Sequence, residues 1–170
     1  MDVVLHGDGP GERWIRSAEP GSQIEGIGPR GKITTSLTAD WHLFMGDESA
    51  LPAIFAMVES LPGDSVATVV IEVPDPADEQ DLSAPARTRL TWLHRLSQPA
   101  GEPDALAAEA AEVELLPGRG HAYLLGEAKV VLALREVLDR RGLNPEQLSP
   151  KAYWGRGRAN AGHGEPARDA

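Results

Sequence analysis

The middle of the chain alternates between short, densely apolar runs and longer stretches in which apolar residues recur every three or four positions. Trp41-His42-Leu43-Phe44-Met45, ended by Gly46, reads as a buried strand. Leu51, Ile54, Phe55, Val58 and Leu61 then recur at helical spacing. Ser49 is the expected N-cap of that helix, and Pro52 suits its first turn, where a missing N–H costs nothing. Pro62-Gly63 stops it. Residues 66–73 are β-branched and nearly continuous, as in a strand covered on both faces, and Pro74, Asp75 and Pro76 end the run. Residues 88–94 read as a third strand, 104–113 as an alanine-rich helix, and 122–125 as a fourth strand closed by Gly126. Val130, Val131, Leu134, Val137 and Leu138 mark the stripe of a long helix that ends at Gly142, a residue suited to a left-handed cap. Residues 151–154 read as a short last strand.

The order β-α-β-β-α-β-α-β with buried strands predicts an α/β domain: a parallel open sheet with helices on both faces. Such sheets bind ligands outside the carboxyl ends of their strands, at a switch point. The loops of interest are therefore 46–50, 74–81, 94–97 and 126–128. Residues 40–156 carry this pattern. Residues 1–39 are glycine-rich with only short apolar runs, and residues 157–170 are small and polar, the expected signature of a mobile tail.

Composition narrows the function. The 170 residues suit one sizeable core, and 41% apolar content is too high for a disordered chain. Aromatics reach only 5%, so Val, Leu, Ile and Ala must build that core. A formal charge of −10 argues against a nucleic-acid surface and against docking on an anionic membrane. Without cysteine, disulfides, thiolate metal sites and thiol catalysis are excluded. No secretory signal opens the sequence, and no apolar stretch approaches the roughly 20 residues of a membrane span. A soluble, cytoplasmic protein without membrane insertion is the expectation.

The chain has no Gly-x-Gly-x-x-Gly, no Walker A sequence and no Gly-x-Ser-x-Gly elbow. A standard dehydrogenase, a P-loop enzyme or an unrelated α/β hydrolase or transferase thus lacks its signature. Gly46-Asp47-Glu48-Ser49-Ala50-Leu51-Pro52 is the sharpest local feature. It is either a tight strand–helix turn whose acids favour the helix dipole, or a bare backbone under a phosphate. His94-Arg95 follows a strand at the ligand-bearing edge. Arg95 can grip a phosphate bidentately or form a solvated basic end. His6, His42, His94, His121 and His163 show no close metal-ligand spacing, and Asp75, Asp78, Glu79 and Asp81 read as a solvated loop, so no metal site is assigned. Lys151, Arg156, Arg158 and Arg168 mix with Tyr153 and Trp154 in a basic C-terminal segment, suited to an anionic ligand or to a solvated tail.

Six segments in order resemble the siderophore-interacting protein family, flavin-dependent ferric-siderophore reductases related to the ferredoxin–NADP⁺ reductases. They are Val4-Leu5-His6-Gly7-Asp8 with Gly9-Pro10 and Trp14, Gly28-Pro29-Arg30-Gly31, Gly46 to Ile54, Trp92-Leu93-His94-Arg95, Gly126-Glu127-Ala128, and Tyr153-Trp154-Gly155-Arg156-Gly157. The resemblance implies a ferredoxin-reductase-like NAD(P)-binding domain over 40–156, preceded over 1–39 by the closing part of a flavin-binding β-barrel with a phosphate-facing turn at 6–14. It implies that Gly46, Asp47, Glu48, Ser49, Pro52, His94, Arg95, Gly126 and Glu127 line an NAD(P)H site. Gly46–Pro52 would lie under the nicotinamide and pyrophosphate, Arg95 at the adenosine ribose or its 2′-phosphate, and Gly126-Glu127 on the nicotinamide side. FAD would meet His6, Gly7, Gly9, Trp14, Tyr153 and Trp154, and the ferric siderophore would meet Lys151, Arg156 and Arg158. No residue is assigned a covalent catalytic role, because the flavin carries the chemistry.

The implied activity is NAD(P)H-dependent reduction of a ferric siderophore, with release of Fe(II). The alternative is a non-catalytic dinucleotide- or partner-binding module derived from that family. Three departures bear on the choice. The family's barrel, with its Arg-x-Tyr-Thr/Ser signature, has no counterpart here, which points to a separately encoded barrel, a longer native chain or self-association through exposed strand edges. Glu12 stands where relatives often carry a small hydroxyl residue, and Gly155 where they commonly carry a basic one.

Overall fold

The densely apolar runs form five parallel strands in the computed structural model, which describes residues 9–25, 33–85 and 87–157. The strands are β1 (Trp41–Asp47), β2 (Val66–Val73), β3 (Arg87–His94), β4 (Gly120–Glu127) and β5 (Leu148–Trp154), in the spatial order β3-β2-β1-β4-β5. Every neighbouring pair is parallel. The helices are α1 (Pro10–Ser17), α2 (Leu51–Glu59), α3 (Asp104–Glu112) and α4 (Ala128–Arg140). From β1 onward the element order is the one expected from the apolar pattern. The chain divides into two compact units, 1–34 and 35–170, a boundary five residues before the expected 39/40 junction.

Side-chain alternation splits the core of the second unit into two layers. Trp41, Leu43 and Met45 of β1 join Ala122 and Leu124 of β4 on one face, against Leu106 and Ala110 of α3 and Val130, Val131, Leu134 and Leu138 of α4. Each fully buried leucine there contributes about 1.5–3 kcal/mol. On the other face Phe44 stacks on Tyr123 at 4.6 Å, and Phe55 of α2 meets Trp92 of β3 at 6.3 Å. Helices thus cover both faces, and β1 is buried along its whole length because it sits centrally between them. The described histidines of this unit are hydrogen-bonded: His121 to Ser149 at 2.9 Å, His94 to Glu79 at 2.7 Å and His42 to the Tyr123 hydroxyl at 3.4 Å.

Helix ends follow the sequence at one end and depart from it at another. α4 closes with Gly142 at φ +97°, its N–H bonded to the Asp139 carbonyl and that of Leu143 to the Leu138 carbonyl, which is a Schellman cap. α2, in contrast, is not capped by Ser49. Its N-cap is Ala50, with no side-chain hydrogen bond, because Ser49 turns back to the carboxylate of Asp47.

In the first unit the described residues hold one helix and no strand. The expected phosphate-facing turn at 6–14 is, from Pro10 onward, the start of α1. Proline at the first helical position and the Arg16–Glu12 ion pair at 2.7 Å favour helix there. Residues 1–8, 26–32 and 158–170 lie outside the described residues, and with them His6, Gly7, Arg158 and the Gly28–Gly31 segment.

Gly46 sits where β1 and β4 pair most closely. A Cβ on it would collide with the Leu125 carbonyl oxygen, and would also crowd Ala50 Cβ at 3.1 Å and Ile54 Cδ1 at 3.2 Å. Gly46→Ala is therefore expected to destabilise the chain by about 1–3 kcal/mol through overpacking, with urea denaturation as the measurement.

Candidate functional site

The carboxyl ends of β1, β2 and β4 line up at one edge of the sheet. Gly46 pairs with Leu125 and Ile71, and Asp47 with Glu72. The strand order reverses between β1 and β4, so the switch point lies between Gly46-Asp47 and Gly126-Glu127. At both glycines neighbouring protein atoms already fill the space a Cβ would take. At Gly126 the backbone has φ +136°, and a Cβ there would lie 2.6 Å from an Asp47 oxygen, so only glycine fits.

Asp47 organises the crevice. Its carboxylate is buried, and it accepts the Ser49 N–H at 2.9 Å, the Ser49 hydroxyl, the Glu127 N–H at 2.8 Å and the Trp154 indole N–H at 3.1 Å. Burial pushes its carboxyl above the usual range, and these donors pull against that shift. Glu127, also buried, caps α4 by accepting the Lys129 and Val130 N–H groups, and its other oxygen accepts the Arg156 N–H at 3.0 Å. A register shift between Gly126 and Glu127 sets that carboxylate at the helix entrance. Arg156 also pairs with Glu102.

A second constellation lies at the β2–β3 side. Arg95 donates two parallel bonds to Glu48, at 2.7 and 2.5 Å, and lies 3.8 Å from Glu72. Burial disfavours the charge of Arg95, but Glu48, Glu72 and Asp47 outweigh it and hold the guanidinium above its ordinary range. Glu72 is raised to about 7, chiefly by burial, with Arg95 opposing and Glu48 and Asp47 reinforcing. Beside Arg95, Leu96 is held at φ +51° with its side chain exposed, a costly conformation for leucine at an edge of this kind.

The residues expected at a nicotinamide site therefore fall into two groups. Gly46, Asp47, Ser49, Gly126 and Glu127 converge at the switch point, joined by Trp154. Glu48 and Arg95 pair at the β2–β3 side. His94 turns away to Glu79, and Pro52 lies in the first turn of α2. The amides of Ser49, Ala50 and Leu51 already bond Asp47 and Glu48, and Pro52 has none, so this turn offers few donors to a phosphate. Of the residues expected at a flavin or siderophore, Gly9 and Trp14 belong to the first unit, at the N-cap and within α1. Lys151 and Tyr153 lie half-buried on β5, and Trp154 and Arg156 are engaged by Asp47, Glu127 and Glu102. Glu72 was not expected. Its signal is a single charged residue within the β-branched run 66–73.

The raised proton affinity of Glu72 has a definite sign in stability. The folded chain holds this proton more tightly than the unfolded chain, whose value is near 4.5, so stability falls as pH rises through about 7. Glu72→Gln imitates the protonated form. Relative to wild type it is expected to be neutral near pH 4.5 and more stable at pH 8 by on the order of 3 kcal/mol, as read from urea titrations at both pH values.

The sequence profile of the siderophore-interacting protein family matches residues 39–157. A siderophore utilization protein from T. fusca superimposes with a TM-score of 0.86 at 37% identity, over 95% of this chain and 62% of that one. The ferric vibriobactin reductase ViuB of Vibrio cholerae is 36% identical over 160 residues, covering 93% of this chain and 59% of that protein. The NADPH-dependent ferric-chelate reductase of Escherichia coli is 26% identical over 157 residues, covering 91% and 59%. The chain thus spans about 60% of the length of each of these two reductases. Among the described residues no helix is long and apolar enough to cross a membrane. With a matched region that takes in the whole parallel sheet and both carboxylate constellations, the chain belongs to the siderophore-interacting protein family.

Proposed function

We propose that this chain is the nicotinamide-binding part of a flavin-dependent oxidoreductase that reduces a ferric siderophore and releases Fe(II). The observation that carries this reading is the pair of side-chain-free positions, Gly46 and Gly126, at the switch point of the parallel sheet. Ligands of open parallel sheets bind at such a switch point, outside the carboxyl ends of the strands. The reductase names of two relatives support the reaction class.

The residues present fit a nicotinamide dinucleotide. Gly46, Gly126 and the Asp47–Ser49 turn would form the backbone wall beside the nicotinamide, and Glu48, Glu72 and Arg95 supply acceptors and a cation at the β2–β3 side. Leu96 offers an exposed apolar face beside Arg95 for an adenine. When bound, nicotinamide and flavin together convert hydride transfer into single-electron transfer to ferric iron in the substrate. Reduction weakens the hold of hard oxygen donors on the metal. The chain's own part is to hold and orient. Asp47 fixes the Gly126-Glu127 turn through the Glu127 N–H, and Trp154 through its indole N–H, so the walls of the crevice are set before a ligand enters. In this reading Tyr153 faces FAD, and Lys151 and Arg156 face the siderophore.

The test is calorimetric titration of the purified chain with NADH and NADPH, followed by FAD addition, desalting and a visible spectrum. Saturable nicotinamide binding is expected. With FAD retained, anaerobic NADH or NADPH should bleach the flavin, and ferric siderophore should restore its colour as a ferrous trap develops. Nicotinamide binding without flavin retention would favour the binding-module reading for this chain. Absence of binding by either nicotinamide would refute the proposal.

A further inference from the structure

We infer that the Glu48–Arg95 pair, set beside Glu72, makes the ribose end of the proposed nicotinamide site accept a free 2′,3′-diol and reject a 2′-phosphate, so that the chain prefers NADH to NADPH. This inference rests on the nicotinamide reading above and names which form that site takes.

Arg95 is the one cation of this constellation, and its planar fork is already engaged. Both parallel bonds go to Glu48, and the next nearest charge is a second carboxylate, Glu72, at 3.8 Å. A phosphate monoester brings a charge of about −1.5 to −2. To grip it, Arg95 must release Glu48, leaving that carboxylate unpaired beside the new anion. Alternatively the phosphate must sit against two acids and a neutralised guanidinium. Both arrangements are repulsive, and rejection of this kind discriminates more sharply than any gain in favourable contacts.

A diol meets the opposite situation. Each Glu48 oxygen accepts one bond from Arg95 and retains acceptor capacity for a hydroxyl. Glu72 is only 3% exposed, and among the described residues no hydrogen bond reaches its carboxylate. It stands at the carboxyl end of the strand next to β1, the place where doubly wound domains set an acid to accept the ribose 2′-hydroxyl. A carboxylate 3.8 Å from Arg95, adjacent to an acceptor pair locked by that arginine, is matched by neighbouring hydroxyl groups.

The test is calorimetry on the purified chain at pH 8 with four probes: NADH, NADPH, 5′-ADP and 2′,5′-ADP. Wild type is expected to bind NADH about tenfold or more tightly than NADPH, and 5′-ADP more tightly than 2′,5′-ADP. Glu48→Gln frees the guanidinium of its charged partner. It should bring the NADH/NADPH ratio to within about threefold, mainly by strengthening NADPH binding. Should that variant fail to fold, Glu72→Gln provides the second arm, with NADH binding weakened about tenfold and 2′,5′-ADP improved. Equal or tighter binding of NADPH by wild type would overturn this inference alone and leave the nicotinamide reading standing. A Glu48→Gln protein that folds with an unchanged ratio would overturn it in the same way. Binding of none of the four probes would overturn the underlying reading and this inference with it.

Discussion

One buried carboxylate holds the ligand-bearing edge together. Asp47 ends the central strand and accepts hydrogen bonds from its own following turn, from the end of β4 and from the last residue of β5. Burying an ionised carboxylate without partners is prohibitive, and four donors are what make this one tolerable. The same donors are thereby fixed. The Glu127 N–H cannot move without orphaning Asp47, and the Glu127 side chain is in turn the cap of α4 and the acceptor for Arg156. The crevice between β1 and β4 is therefore a preset shape rather than a loop that closes on a ligand.

This network also explains which parts of the fold were legible in the sequence. The strands and helices of residues 41–154 follow from local signals: the β-branched run 66–73, the helical stripe from Val130 to Leu138, and the Gly142 cap all appear where local rules put them. The N-cap of α2 does not. Serine before a helix is locally the best cap, but Ser49 has a stronger option two residues back in a buried anion, and charge-assisted bonds outrank neutral ones. The partners that brought Asp47 there, Glu127 and Trp154, lie 80 and 107 residues along the chain. No window of sequence contains that competition.

The residues of the candidate edge could be marked from the sequence, whereas their pairings could not. Glu48 and Arg95 were both marked as nicotinamide-site residues, but as independent contributors. Their mutual bidentate bond, across 47 positions, converts a candidate phosphate grip into a neutralised pair. Trp154 and Arg156 show the same effect, since residues suited by type to an anionic aromatic ligand also serve as fastenings for β5 and the turn that follows it. Residue type announces what a side chain can hold. Only the fold shows what it already holds.

The same distinction bears on how an acidic edge would suit the proposed nucleotide. Counted as formal charges, Asp47, Glu48, Glu72 and Glu127 against one arginine make a poor seat for any phosphate. Counted by what each already holds, they differ. Asp47 and Glu127 are saturated by backbone and indole donors and present little free acceptor surface, whereas Glu48 and Glu72 retain acceptor capacity at the β2–β3 side. In the proposed reading, the repulsive part of the edge is confined to the position where a nucleotide would carry its sugar. At the switch point, where the uncharged ring would lie, the carboxylates are turned into structure. Self-repulsion among the acids is relieved by Arg95 on one side and by the raised proton affinity of Glu72 on the other, which lets that carboxyl take up a proton instead of a counter-charge. In the proposed reading, an edge of this composition would discriminate by charge at one end of a dinucleotide and by shape at the other.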